Sequence, residues 1–318
     1  MGKTTAGIIF ATTTAVIWGG QFVVGKTALE RVDALPLTAA RYAIAAVLLL
    51  ALLAAVEGRQ ALRLEGRGLR LFWLGSLGFA GFNLLAYTGL EHARPQSAAL
   101  IVALGPLVTA IVLWVQRGVR PPRSTGWAIA LALVGVALVV SRGDPASIVR
   151  GSVGWGDALV LAGVTSFTFY TLGAAGHREL SPLRYTALTA SLGWLTIAGV
   201  SIVALLTGAV PTPSASDLDA VVPELLYLAL PGAVVAVLTW NAAVVRIGAQ
   251  NVTLIGNLIP VTTFLIEIVR GYRPDALELL GAAIALAALA ANNLLLRRHA
   301  RAAAAPRDDY DTELEAAA

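Results

Sequence analysis

The sequence predicts an all-α polytopic membrane protein: ten transmembrane helices arranged as two inverted five-helix repeats. Three observations lead there. Hydrophobic residues make up 57% of the chain and charged residues 13%, with a mean hydropathy of +0.76. Ten apolar stretches are each long enough to cross a bilayer, which takes about 20 residues. The chain also matches itself at roughly half its length. A soluble domain would carry about 25% charged residues. The alternating segments that mark a membrane β-barrel are absent from the sequence.

In chain order the expected spans are Thr5–Gly25, Pro36–Val56, Leu71–Tyr87, Gln96–Gln116, Ser124–Ser141, Asp157–Gly176, Arg184–Leu206, Glu224–Val245, Asn251–Val269 and Leu277–Leu296. The first follows Lys3 and runs on without a small-residue cleavage site, so it is expected to stay in the protein as a helix. Cysteine is absent, and the three histidines, His92, His177 and His299, are far apart. Disulfides and thiolate sites are thereby excluded, and no metal or cofactor is expected.

The formal charge of +4 is spread through short loops and does not form the aromatic-studded basic patch of a nucleic-acid-binding protein. Arg59, Arg63, Arg67 and Arg70, then Arg117, Arg120 and Arg123, then Arg297, Arg298 and Arg301 all fall on one side of the expected topology. The positive-inside rule then puts both termini in the cytoplasm. The bilayer and a small-molecule substrate are the expected partners. The sequence sets no oligomeric state and is compatible with a monomer. Residues 301–318 are polar and alanine-rich, and a disordered cytoplasmic tail is expected there.

The repeat rests on matched motifs. "QSAALI" at Gln96 answers "QNVTLI" at Gln250, and at the same offset of 154 Leu104, Pro106 and Thr109 answer Leu258, Pro260 and Thr263. "RGVRP" (Arg117–Pro121) answers "RGYRP" (Arg270–Pro274), and "GWAIALA" at Gly126 answers "GAAIALA" at Gly281. The two units are taken as residues 1–150 and 151–300. Five crossings per unit make the second enter from the opposite face, which is the plan of many secondary transporters.

Candidate site residues are polar or aromatic groups at membrane depth, where lipid cannot satisfy them. At 100° per residue Trp18, Gln21, Phe22 and Gly25 share a face of the first helix, with Gly19 and Gly20 beside them as points of close approach or hinging. The third helix offers Asn83 and Tyr87 at i, i+4. The sixth offers Thr165, Ser166, Thr168 and Tyr170, the eighth Trp240 and Asn241, and the ninth Asn257. Pro106 and Pro260 interrupt helices four and nine at equivalent positions, each removing a backbone donor. The predicted substrate-binding set is Trp18, Gln21, Asn83, Tyr87, Tyr170, Trp240, Asn241 and Asn257, a neutral aromatic-lined pocket suited to a neutral or zwitterionic molecule. Each has a plainer alternative: serine and threonine bond their own helix, and tryptophan and tyrosine anchor at the interface. Asn292 and Asn293 are expected to meet solvent.

Two intramembrane charges remain. Arg41 either snorkels to the interface or attracts a substrate carboxylate; Glu267 either pairs with Arg270 at i+3 or titrates during transport. "GWGD" at Gly154 resembles the motif of intramembrane aspartyl proteases, but no second intramembrane aspartate faces Asp157, which is expected to be a helix N-cap. No phosphate-cradling loop is present, and no enzyme is expected. A passive channel is the main competing reading, although charged rings and filter loops are absent from the sequence; a membrane enzyme or lipid flippase is weaker still.

"WGGQFVVGK" (Trp18–Lys26), Pro36 with Arg41-Tyr42, "YTGLEHA" at Tyr87, "SAAL" at Ser97, "LGPLVTA" at Leu104 and the echo around Pro260 together resemble the EamA branch of the drug/metabolite transporter superfamily over residues 5–298. That resemblance implies a ten-helix inverted-repeat carrier of the inner membrane that exports small metabolites or drugs. "LTWNAAV" at Leu238 is similar to YddG-type amino-acid exporters, which implies amino acids, neutral and aromatic ones included. The second repeat departs from the first: Phe167 and Thr168 stand where the first has Trp18 and Gly19, and no lysine answers Lys26.

Overall fold

A computed structural model describes residues 2–118, 120–142, 144, 154–174, 177 and 179–304. The helices, numbered α1 to α10 in chain order, are α1 (Lys3–Leu29), α2 (Ala34–Glu57), α3 (Gly68–His92), α4 (Pro95–Ala103 and Gly105–Arg117), α5 (Arg123–Val140), α6 (Trp155–Ala174), α7 (Pro182–Leu206), α8 (Val222–Ile247), α9 (Ala249–Gly256 and Leu258–Val269) and α10 (Ala276–Ala304). Among the described residues eight helices are long and apolar enough to span a membrane, and the bent α4 pair makes a ninth. The 20-residue α6 stands at the place of the sixth expected span and is not among these nine. A short helix, Ala215–Ala220, closed by a Ser214–Asp217 capping box, lies outside the expected spans.

The helix ends follow local chemistry. Gly118 after α4 (φ +66) and Gly271 after α9 (φ +100) occupy the left-handed region that stops a helix cheaply only with glycine, and both belong to the repeated RG-x-RP motif. Asp33 caps α2 by accepting from Leu35 N, and Ser181 caps α7 by accepting from Arg184 N. Apolar side chains such as Val115, Leu206 and Val269 remain exposed on the bundle surface, where lipid is the solvent.

Packing follows the repeat. α2 packs on α7 and α5 on α10; α1 packs on α8 as α6 packs on α3, and α1 on α9 as α6 on α4. These pairings map onto themselves when each helix is renumbered by five. Small residues set the close approaches, because without a hydrophobic drive between helices the backbones must meet. A β-carbon on Gly135 would lie 2.5 Å from Gly281 O, and one on Gly89 2.5 Å from Gly156 O.

Two stretches depart from α-helix: Ser76–Gly81 within α3 and Leu228–Val235 within α8 are π-helical and occupy equivalent places in the two repeats. Pro231, which has no N–H to give, lies inside the second. A π turn moves the carbonyl partner from i+4 to i+5 and leaves carbonyls open to side chains. Leu77 O accepts from Ser166 Oγ, Leu228 O from Arg41 Nε and Gly232 O from Trp18 Nε1.

Three expectations need correcting. Asp157 lies inside the first turn of α6 rather than at its cap, and its buried Oδ1 has no partner. Asn292 and Asn293 are buried, not solvated: the α5–α10 contact covers them, and Asn292 Oδ1 accepts from Thr125 Oγ1 at 2.8 Å. α10 continues as helix past Arg301 to Ala304, its alanines being strong helix formers; residues 305–318 of the expected tail lie outside the described residues.

Candidate substrate site

Arg41 lies about 10 Å along α2 from its first residue at 1.5 Å per residue, and 2% of its surface is exposed. It does not snorkel. Its guanidinium turns into the bundle, where Nε donates to Leu228 O (3.0 Å), Nη1 to Tyr87 Oη (2.7 Å) and Asn83 Oδ1 (3.4 Å), and Nη2 to Gln21 Oε1 (2.9 Å). The physical reason is supply: α1, α3 and the π turn of α8 bring four acceptors closer than water. The rings of Tyr42 and Tyr87 stand 5.1 and 5.2 Å from Arg41 Cζ and add cation–π attraction. Among the described residues no carboxylate pairs with Arg41. Asn83 Nδ2 completes the network by donating to Tyr42 Oη and Phe79 O, each at 2.9 Å.

A second group lies further along the bundle. The rings of Trp18 and Trp240 are 5.3 Å apart and tilted by 38°. Trp18 Nε1 donates to Gly232 O at 3.1 Å, and Trp240 covers Gly256, the residue before Asn257. Asn257 is the junction between the two parts of α9, and its buried Nδ2 has no partner. The junction in α4 is Leu104, two residues before Pro106, with a bend of 46°. Pro260 falls in the first turn after the α9 junction.

The candidates thus divide. Gln21, Asn83 and Tyr87 meet at Arg41, and Trp18, Trp240 and Asn257 gather about one helical turn away, but Tyr170 joins neither. It stacks on Tyr185 (5.2 Å) and meets Phe79 edge to face (5.3 Å) in the core between α2, α3, α6 and α7. Asn241 is half-buried and hydrogen-bonds to neither group. Thr165 and Thr168 bond their own helix at Leu161 O and Val164 O. Gly19 and Gly20 lie in an unbroken α1: a β-carbon on Gly19 would meet Ile259 O at 2.7 Å, and one on Gly20 would meet Tyr227 Oη at 2.5 Å. Glu267 Oε1 is 3.7 Å from Arg270 Nη1 and lines a cleft of about 320 Å³ with Lys26, Glu30 and Tyr272.

The two ends of the bundle are packed differently. At the Lys26 end α1 packs against α3 and the first part of α4; among the described residues α6 makes no comparable packing with α8 or α9, the equivalent contacts at the opposite end. Ala28, Val32, Ala34, Leu37, Val221 and Leu228, none more than 2% exposed, form an apolar plug between the Arg41 network and the Lys26 end. Lys26 Nζ donates to Leu90 O and Glu91 O, both at 2.7 Å, and Glu91 Oε1 accepts from Ala34 N at 2.7 Å. Arg94 Nη1 meets Glu278 Oε1 at 2.8 Å and Tyr272 Oη at 2.7 Å, and its Nη2 meets the Val139 carbonyl. Burial raises the Tyr272 phenol above its usual range, and its bond to Glu278 acts the same way. The sequence reading missed Arg94 and Glu278, which look like ordinary helix-end charges, and also the π turns, for which Pro231 inside a span was the available signal.

A polytopic helical bundle of two like halves, broken at matched positions and packed differently at its two ends, has the architecture of a membrane transporter. The profile of the EamA-like transporter family matches residues 5–141 and again 154–294, and the chain belongs to this family, within the drug/metabolite transporter superfamily. It is 30% identical to the uncharacterized transporter YrdR of Bacillus subtilis (strain 168), over 93% of this chain and 94% of that one. It is 25% identical to a probable terminal-alkyne amino-acid exporter of Streptantibioticus cattleyicolor, over 86% and 89%. Over 58% of each chain it is 27% identical to an S-adenosylmethionine/S-adenosylhomocysteine transporter of Chlamydia muridarum. A protein of known crystal structure superposes with a TM-score of 0.63 at 22% identity, over 93% of this chain and 99% of that one, which speaks to the fold alone.

Proposed function

We propose that this protein is a secondary transporter that exports small organic metabolites, amino acids with neutral or aromatic side chains foremost, by alternating access. In this reading it carries its substrate across the plasma membrane unchanged, with both termini in the cytoplasm. The observation that carries the proposal is the difference between the two ends: one is plugged and latched, and among the described residues the other has no comparable packing of α6 against α8 or α9. Two like halves with one end sealed correspond to one of the two positions that a rocking carrier alternates between. The names of two relatives support the substrate class, since an amino-acid exporter and a transporter of S-adenosylmethionine and S-adenosylhomocysteine both handle α-amino carboxylates.

Counterflow in proteoliposomes tests the reading. Vesicles loaded with an unlabelled amino acid are expected to accumulate the labelled one transiently, with saturation. Flux that rises linearly with concentration and shows no counterflow would favour a channel, and turnover of the cargo would favour an enzyme.

A further inference from the structure

We propose that Arg41 is the carboxylate-binding group of this transporter, and that a substrate carboxylate displaces the side-chain carbonyls of Gln21 and Asn83 from it as the Lys26 end opens. The proposal rests on the transporter reading and assigns the recognition chemistry of its site.

The geometry points there because of how the guanidinium is partnered. Gln21 Oε1 on Nη2 and Asn83 Oδ1 on Nη1 supply two oxygens to the outer edge of the fork, the edge on which a carboxylate binds in bidentate fashion. Leu228 O on Nε and Tyr87 Oη on Nη1 hold two of the other three donors and fix the plane of the group. The fork is thus set for a carboxylate and filled by two amides. Neutral amides satisfy N–H groups but leave the charge uncompensated, and a buried charge without a counter-charge is costly. Arginine is the side chain suited to this task, because its planar fork is weakly hydrated and matches a carboxylate.

The displaced groups sit on helices that must part. Gln21 is on α1 and Asn83 on α3, and the packing of α1 against α3 closes the Lys26 end. Opening that end draws Gln21 from the guanidinium and leaves a desolvated cation that an incoming or departing carboxylate satisfies better than water. The site is single: in the register that aligns Pro36 with Pro182, the place of Arg41 in the second repeat is taken by the fully buried Ala187. The Trp18–Trp240 pair follows about 4.5 Å further along α1 from Gln21, spaced to receive the side chain of the same molecule.

The test uses the full chain in proteoliposomes and a panel of labelled amino acids, followed by competition from the acid, its carboxamide and its decarboxylated amine. The acid is expected to compete at least about ten-fold better than either analogue. Arg41→Gln is expected to weaken the acid by about ten- to a hundred-fold, the range of one charged hydrogen-bonding pair, while leaving the analogues unchanged; Arg41→Lys is expected to fall between. If Arg41→Gln does not fold, Gln21→Ala keeps the arginine and removes a competing acceptor. It is expected to tighten the acid a few-fold without affecting the carboxamide. A wild-type protein that carries amino acids but accepts acid and carboxamide equally overturns this proposal alone, as does a Gln21→Ala variant with unaltered preference. Absence of saturable exchange for every amino acid in the panel overturns the transporter reading, and this assignment with it.

Discussion

Gly78 of α3 lies against the ring of Tyr170, so close that a β-carbon would sit 2.3 Å from Cγ. The equivalent residue of the second repeat, Gly232, lies against the Gln21 amide, where a β-carbon would sit 2.7 Å from Oε1. Both glycines are in π turns, and both touch the residue at the same place in the first helix of the opposite repeat. The consequences of filling them differ. A ring packed between Phe79 and Tyr185 cannot withdraw, so Gly78→Ala is expected to destabilise by about 1–3 kcal/mol, the usual cost of overpacking. The Gln21 amide is the end of a flexible chain, so Gly232→Ala is expected to cost less but to move Gln21 from Arg41. Thermal unfolding of the detergent-solubilised variants separates the two; equal losses would contradict the comparison.

The Arg94–Glu278 pair joins α10 to the loop before α4, with the Glu278 side chain 1% exposed. Breaking a buried pair leaves a charge without a partner, which costs about 3–5 kcal/mol, whereas removing both charges leaves none. Glu278→Gln and Arg94→Gln are each expected to lower the midpoint of thermal unfolding strongly, and the double variant to recover part of the loss. Additive losses in this cycle would show that the pair does not act as a unit.

Asn257 leaves a buried amide donor unpaired, at a penalty of about 1–3 kcal/mol. Substitution by leucine, similar in volume, is expected to raise thermal stability and to lower transport. A gain in stability with transport unchanged would mean the amide has no part in handling substrate.

At the opposite end Arg184 holds the α2–α3 loop, donating to Ala61 O (2.8 Å), Arg63 O (2.7 Å) and Glu65 Oε1 (2.8 Å). The hydrogen bond and charge of Arg184, followed by those of Arg67, hold the Glu65 carboxyl below its ordinary 4.5. A depressed value in the folded state means that this tie is complete above the ordinary carboxylate range and is lost as the pH falls through the depressed value. Hydrogen exchange of the loop amides, corrected for intrinsic rates, is expected to be flat near neutrality and to rise only in acid. Glu65→Gln is expected to remove the acid-induced change.

How far the sequence could be read follows from what each residue type reveals by itself. Span positions were legible because a bilayer demands apolar length whatever a helix packs against, and the α4 and α9 breaks because Pro106 and Pro260 cannot donate. Arg41 was legible as a charge but not as the centre of a network: its Nε acceptor, Leu228 O, lies 187 residues away and depends on a π turn. Asn292 and Asn293 were misread for a related reason, since proximity to a helix end says nothing about which neighbour covers it. Tyr170 shared the polar-aromatic character of the site residues, but its neighbours Phe79 and Tyr185 make it core.

The two π turns give both halves the same widened helix. Each holds one residue more than an α-helix of the same rise would. Both copies carry it at the same station, in helices three and eight, with a glycine at the same point within it. The wider turn therefore belongs to the plan common to both halves, while the side chain that meets it does not: Arg41 donates to Leu228 O, and Ala187 stands at the place of Arg41 in the second repeat.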